Sequence, residues 1–339
     1  MSLLRVSAIH VEMRRIAVLL CLIAGIPLAP SEARAAKLIF SDGFETGVIS
    51  FLRWNPQVYD QVGGATLVTA SSGGPVRSGE YALRIKLSLD DPLDPGGKLR
   101  SELRPRSNWK ETVYRAAYSV PHIYEFSIFL PSDWQPDGPE IVAQWHAKVD
   151  RDGEGNQLEP RRAPPLALRM TAIETFPGSG VGVPAWNIVV HWDDTAITPQ
   201  NESTVTLVTV LDPLDASGDL DNWVDWRVEV TWDWHEVGDG RLRVFKDGVE
   251  VVSYDGPNAY NDVEGVDSKI GSYKWDWSDP PDLRILYYDD VKIWREVVPM
   301  PALGPVGAGL LLALLAVSGF AFAVQKRTLQ RNPRVDSAK

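Results

Sequence analysis

Trp226-Arg227-Val228-Glu229-Val230-Thr231-Trp232-Asp233-Trp234 alternates without a break. Trp226, Val228, Val230, Trp232 and Trp234 fall on one side of an extended chain, and Arg227, Glu229, Thr231 and Asp233 on the other, because successive strand side chains point to opposite faces. The stretch predicts a strand with one face on a core. Just downstream, Arg241-Leu242-Arg243-Val244-Phe245 and Val249-Glu250-Val251-Val252 flank Lys246-Asp247-Gly248, whose Asp-Gly supplies the positive-φ position of a hairpin turn. Upstream, Tyr124-Glu125-Phe126-Ser127-Ile128 alternates again before Pro131. No long 3.6-residue periodicity interrupts these runs. About 260 residues of short strands without an internal repeat predict an all-β chain built as a single β-jelly-roll sandwich, with no second domain boundary.

The chain has 339 residues, 44% hydrophobic and 23% charged, enough to bury a core and to exclude disorder as its main state. Its formal charge of −11 argues against a nucleic-acid partner. The single cysteine, Cys21, excludes a disulfide framework, a cysteine zinc site and thiol chemistry in the folded part. Thirteen Trp and 25 Pro suggest a loop-rich, carbohydrate-facing protein.

Both ends read as addresses. Arg14 and Arg15 precede an apolar run over 16–28, and Ala33-Arg34-Ala35 supplies a signal-peptidase pattern, so residues 1–35 are expected to be an export signal. At the other end, Pro299-Met300-Pro301 leads into an apolar stretch over 306–324 followed by Lys326, Arg327 and Arg331. Such a run is long enough to span a bilayer with its basic flank inside. Residues 299–339 thus resemble a sorting tail of the PEP-CTERM type or form a permanent transmembrane anchor. The expected location is the bacterial cell envelope or beyond, with membrane contact only through this helix. The ends carry +2 and +4, which leaves −17 on the core, residues 36–298, expected to be a soluble monomer.

Three strands place polar groups on one face. In residues 98–104, Lys98, Arg100, Glu102 and Arg104 alternate with Leu99, Ser101 and Leu103. In residues 141–148, Gln144, His146 and Lys148 alternate with Ile141, Ala143, Trp145 and Ala147. In residues 269–273, Lys269 and Tyr273 share a face with Gly271 between them, which reads as room for a ligand against the backbone. An amide, an imidazole and a phenol suit β-elimination from a uronic-acid polysaccharide. That reaction needs the C6 carboxylate neutralised, a base for the C5 proton and an acid for the departing O4; Gln or Arg, His or Tyr, and Tyr serve these ends. The chemistry requires no metal or cofactor.

Arg100-Ser101-Glu102-Leu103-Arg104, Gln144-x-His146 and Lys269-x-Gly271-x-Tyr273, in that order, resemble the signature strands of the jelly-roll polysaccharide lyases: alginate lyases, glucuronan lyases and heparin lyase I. The resemblance covers roughly residues 40–294. It implies a concanavalin-like sandwich with a concave groove for an anionic polysaccharide. It also implies Gln144 and Arg100 as carboxylate neutralisers, His146 as base and Tyr273 as acid, although either of the last two suits the base. Lys269 would bind a substrate carboxylate or orient Tyr273, and Glu102 would hold Arg100, with Arg104 and Lys148 lining the groove. Asp267-Ser268 stands where an aromatic pair precedes the lysine in alginate lyases, and Trp145 replaces a common Ile, so the chain looks closer to the glucuronan and heparin lyase side. A basic groove on an acidic body is expected.

Asn187 and His191, four apart on one strand, are further candidates for that groove, His191 also fitting a structural role; His122 and His235 read as surface residues. Residues 150–156 resemble the start of a calcium loop, with Arg161 at its twelfth position, so a structural Ca2+ is an expected option beside a plain acidic loop. A glycoside hydrolase would need a pair of carboxylates on one strand, and no Glu-x-Asp-x-x-Glu pattern occurs. The rival reading is a non-catalytic sugar-binding module, with Trp275 and Trp277 stacking on sugars beside Tyr273.

Overall fold

The computed structural model describes residues 35–58, 63–107, 112–134, 139–160, 162–174, 182–198, 204–213, 219–275, 277 and 282–297. Residues 1–34 of the expected export signal and the C-terminal apolar run fall outside them. Among the described residues no helix is long and apolar enough to cross a membrane.

Residues 36–296 make one compact unit. Its strands are β1 (Ala36–Asp42), β2 (Trp54–Val58), β3 (Ala65–Thr69), β4 (Tyr81–Ser88), β5 (Leu99–Pro105), β6 (Pro121–Phe129), β7 (Glu140–Ala147), β8 (Leu166–Glu174), β9 (Gly182–Trp192), β10 (Thr204–Pro213), β11 (Trp223–Thr231), β12 (Arg241–Lys246), β13 (Val249–Asp255), β14 (Val266–Lys274) and β15 (Leu283–Glu296). They form two antiparallel sheets packed as a jelly roll. The eight-stranded sheet runs β13-β12-β11-β6-β15-β4-β3 with β1 also on β15, and the seven-stranded sheet runs β10-β9-β8-β7-β14-β5-β2.

The alternating stretch becomes β11, whose even-numbered residues are buried and odd-numbered ones are not, in register with β6 and β12. The strand ends at Thr231. Asp233, expected on the wet face, is buried instead, because its carboxylate accepts from the backbone N–H of His235 (3.0 Å) and Asp239 (2.9 Å) and so closes the following turn. Asp247 and Gly248 take φ of 50° and 78°, the left-handed pair that a two-residue hairpin needs.

The tryptophans mostly fill the sandwich. Trp54, Trp145, Trp186, Trp226 and Trp232 are fully buried, so their number does not mark a sugar-facing surface. Two packed sheets leave a gap of about 10 Å, which large rings bridge. Trp186 of β9 meets Trp226 of β11 edge-on at 5.1 Å, and Trp145 of β7 meets Tyr124 of β6 at 5.5 Å. Glu140, Lys274 and Arg284 are buried together at one end, with Arg284 Nε donating to Glu140 across the sheets at 2.9 Å.

Two bulges interrupt the centre of the seven-stranded sheet. Ile141 and Ala143 of β7 pair with consecutive residues Arg169 and Leu168 of β8, so Val142 is extra. Ile270 and Tyr273 of β14 pair with Ala143 and Ile141, so β14 carries an extra residue beside Gly271. Val142 therefore joins the core, while Ile141 leaves the apolar face that strict alternation gives it and lines up with Tyr273 and Arg169. Gly271 has φ of 135°, and a Cβ there would lie 2.2 Å from the Ser101 carbonyl oxygen. The close approach that requires glycine is thus by β5, not by a ligand. Tyr288 of β15 reaches across the core until its hydroxyl lies 2.6 Å from the Val142 carbonyl and 3.0 Å from that of Gly271.

Gly271→Ala should cost about 2–4 kcal/mol in denaturant unfolding, from the backbone conformation and the contact with β5. Tyr288→Phe, which removes the one proton the two carbonyls share, should cost about 1–3 kcal/mol. A neutral Gly271→Ala would contradict the bulge geometry.

Candidate active site

β5, β14 and β7 lie side by side, so their polar faces merge. Register sets Tyr273 opposite Arg100, Gly271 opposite Glu102, Lys269 opposite Gln144 and Asp267 opposite His146. The buried Glu102 carboxylate holds the group together. It accepts from Gln144 Nε2, and its other oxygen lies 3.3 Å from Arg100 Nε. Since a carboxylate only accepts, the Gln144 amide nitrogen must face it, and one Gln144 N–H remains for a ligand. Arg100 is fixed further by Asp94 (3.2 Å) and by Gln57 Oε1 (3.1 Å), and its guanidinium lies 4.5 Å from the Tyr273 ring centre.

A cleft of about 380 Å³ opens on this face. The described residues lining it include six cations, Arg100, Arg104, Arg115, Lys148, Arg151 and Lys269, against two acids, Asp94 and Asp267, with His146 among them. A locally basic site thus sits on an acidic chain. Arg104 donates to Asn55 (2.9 Å) and faces Asp267 at 3.6 Å, Arg115 faces Glu264 (3.1 Å) and Asp267 (3.5 Å), and Lys148 pairs with Glu264. Lys269 is buried at the cleft wall, and no described side chain bonds its ammonium. Burial lowers its pKa, an effect that Glu102 and Asp267 oppose.

His146 is half-buried, and its Nδ1 faces the Ala147 carbonyl. A carbonyl only accepts, so Nδ1 carries the proton and Nε2 presents its lone pair. Burial, with Lys269 and Arg100 nearby, lowers the imidazole to about 3, which keeps it neutral. Tyr273 is pushed the other way: burial raises its pKa although Arg100 opposes this, so the phenol keeps its proton. Tyr273 is not among the described cleft residues and packs against Arg100 at the edge of that lining.

The remaining candidates lie farther along the same sheet. Asn187 and His191 are buried on β9, and His191 Nδ1 bonds the Pro164 carbonyl at 3.1 Å. Trp275 follows β14, 6.0 Å from the Tyr273 ring and 5.5 Å below the Arg169 guanidinium. Sequence reasoning missed Asp94, Gln57, Asp267, Arg115 and Arg169. Only Asp94 carried a local signal: its carboxylate caps its own Asp-Pro-Gly-Gly turn through Gly96 and Lys98 N–H, as an Asp before such a turn does. His122, expected at the surface, is buried on the core face of β6 against Tyr124 and Tyr114, because it shares the parity of Tyr124 and Phe126. His235 is largely exposed.

The acidic loop organises itself differently from a calcium loop. Asp152 accepts from Glu154 N, Asn156 N and Asn156 Nδ2 within the loop. Asp150, Glu159 and Asp262 do converge, with ligand atoms within 4.8 Å of one another, but Arg162 is ion-paired with Glu159 and Asp262. The guanidinium supplies the counter-charge, and a calcium ion does not fit these donors while it is seated there.

A sequence model of a polysaccharide lyase family matches residues 61–292. No curated protein matches. Among solved structures the chain is similar to an endo-β-1,4-glucuronan lyase from the fungus Trichoderma reesei, at 16% identity and TM-score 0.48, over 71% of this chain and 93% of that one. It is also similar to alginate lyase A1-II′, a member of polysaccharide lyase family 7, at 14% identity and TM-score 0.48, over 76% and 100%. An alginate lyase from Pseudomonas aeruginosa follows at 14% identity and TM-score 0.45, over 72% and 99%.

Buried histidines make the fold acid-sensitive. Burial lowers His122 and His191 to about 4, from an ordinary 6.5. Between those values the unfolded chain binds protons that the folded chain refuses, so stability falls as pH drops below about 6.5. Asp262 and Asp289, raised by burial to about 7 and about 6, act in the opposite sense. Comparison with His122→Leu isolates the histidine: between pH 7 and 4.5 the variant should lose roughly 2 kcal/mol less than the wild type in denaturant unfolding. Equal losses would contradict the buried neutral imidazole.

Proposed function

Because the chain belongs to the polysaccharide lyase family, we propose that it cleaves a uronic-acid polymer by β-elimination on the face shared by β5, β14 and β7. The observation that carries this reading is a neutral His146 with its Nε2 free, in a cationic cleft beside an anchored Gln144 and Arg100. A cleft built for anions suits a substrate with a carboxylate on the reacting sugar. The polymer is of the glucuronan, alginate or heparin type.

In this reading the free Gln144 N–H, Arg100 and Lys269 bind the C6 carboxylate and stabilise the charge that spreads onto it. His146 Nε2 takes the C5 proton, the electron pair forms the C4–C5 double bond, and the C4–O4 bond breaks. Tyr273 gives its proton to O4 of the leaving chain. The backbones of His146 and Tyr273 stand roughly 16 Å apart along β7, five residues at about 3.3 Å each. Two long side chains leaning inward leave room for one sugar ring between them. Glu102 positions Gln144 and Arg100 and does not itself react. The basic leader and apolar tail support a site of action outside the cytoplasmic membrane, and the acidic body supports a monomer.

His146→Ala and Tyr273→Phe should each lower kcat by about 10²–10⁴, followed by absorbance at about 235 nm from the unsaturated product. Both should still be retarded in a gel containing the polymer. Wild-type turnover in Tyr273→Phe would overturn its assignment, and loss of retardation together with turnover would assign it to binding.

A further inference from the structure

We propose that Arg169 of β8 forms a second anion subsite, which takes a carboxylate from a uronate unit other than the one being cleaved. The proposal rests on the uronate reading above and deepens it.

The other paired arginines and Lys148 of this face are accounted for by carboxylates, and Lys269, which has none at bonding distance, still has Glu102 and Asp267 near enough to oppose the effect of burial on its pKa. Arg100 has Asp94 and Glu102, Arg104 has Asp267, Arg115 has Glu264 and Asp267, and Lys148 has Glu264. Arg169 has no such counterpart. Among the described residues its guanidinium makes no hydrogen bond or ion pair, its Nε is buried without a partner, it lies 5.5 Å from the Trp275 ring, and its titratable neighbour His191 is pushed by burial toward the neutral form and supplies no counter-charge. Burial depresses its pKa, and no acid opposes the effect. A desolvated guanidinium without a counter-charge is costly to keep, and an anionic ligand relieves that cost.

Position fits a ligand that runs on from the cleft along the same sheet face. Arg169 is in register with Asn187 on one side and Ile141 on the other; Ile141 is in register with Tyr273, and Tyr273 with Arg100. Arg100, Tyr273, Arg169 and Asn187 therefore occupy one row across the sheet, on the polar face. Three strand spacings of about 4.8 Å separate Arg100 from Arg169, roughly 14 Å. One carboxylate cannot bridge them, so Arg169 answers to a second carboxylate on the same chain. The Asn187 amide, 8% exposed and without a described hydrogen bond, stands beside it as a further donor. The Trp275 ring, 5.5 Å from the guanidinium carbon, offers it a cation–π contact that uses none of its N–H groups, which leaves them for a planar anion.

The test compares wild type, Arg169→Gln and Arg169→Lys as full chains, after thermal melting has shown that each folds. Glucuronan and alginate serve as probes, each native and carboxyl-reduced, in affinity gels and in the 235 nm assay. Arg169→Gln should raise KM at least about tenfold with kcat within about twofold. Its retardation should fall, Arg169→Lys should be intermediate because it keeps the charge without the fork, and carboxyl reduction should erase the differences. Cleavage with wild-type KM and retardation in Arg169→Gln would overturn the subsite and leave the elimination standing. Retardation that depends on Arg169 without any unsaturated product would keep the subsite and sink the elimination. A wild type neither retarded nor active would overturn both.

Discussion

The site depends on two bulges placed back to back at the centre of one sheet. β7 has an extra residue at Val142 and β14 an extra one beside Gly271, and the Tyr288 hydroxyl from the opposite sheet lies within bonding distance of the Val142 and Gly271 carbonyls. That single phenol proton, shared between two buried carbonyls, ties the opposite sheet to both bulges. The bulges decide what faces the groove. They move Ile141, still buried, off the sandwich-core face and bring Tyr273 one residue nearer to Gln144 and His146 than an unbroken ladder would.

The second constraint is electrostatic. Most of the buried charges meet an opposite one, and the pattern of pairing sorts structural from available groups. Arg162 is locked to Glu159 and Asp262, and Arg284 to Glu140, and both sit in the fold's supports. Arg100 is tied on three sides, which makes it a fixed dipole partner for Tyr273 more than a mobile clamp. On the three groove strands and β8, Lys269 and Arg169 are left without a described carboxylate at bonding distance, whereas Arg151 of the flanking loop bonds the Gly155 carbonyl. Burial also separates the two titratable groups in opposite directions, depressing His146 and raising Tyr273, so a neutral base and a protonated acid coexist near neutral pH.

Much of the fold was legible because local rules governed it. Alternation predicts β11, the Asp-Gly pair predicts the β12–β13 turn, and period two alone puts Arg100 with Glu102, Gln144 with His146, and Lys269 with Tyr273 on one face each. That these three faces adjoin is a fact of strand order, β7-β14-β5, which lies far from sequence order; only the resemblance to a family anticipated it. The failures have a common cause. Ile141, Gly271, Asp233 and His122 were read from their neighbours in sequence, whereas their places are set by partners far away: a bulge opposite β8, the backbone of β5, the turn after β11, and the sandwich interior. Arg169 carried no signal, since an arginine on a strand becomes informative only when its surroundings prove to hold no acid. The tryptophans misled because composition does not say which side of a sheet a ring occupies.

The central claim is that the C4–O4 bond breaks by loss of a proton and not by entry of water. It is tested by letting the full chain act on glucuronan, alginate, heparin and heparan sulfate in water enriched in heavy oxygen, and analysing the fragments by mass spectrometry with absorbance at about 235 nm. The account predicts, for at least one polymer, fragments that absorb and carry no label at the new reducing end. Labelled, non-absorbing fragments would make the protein a hydrolase and contradict it.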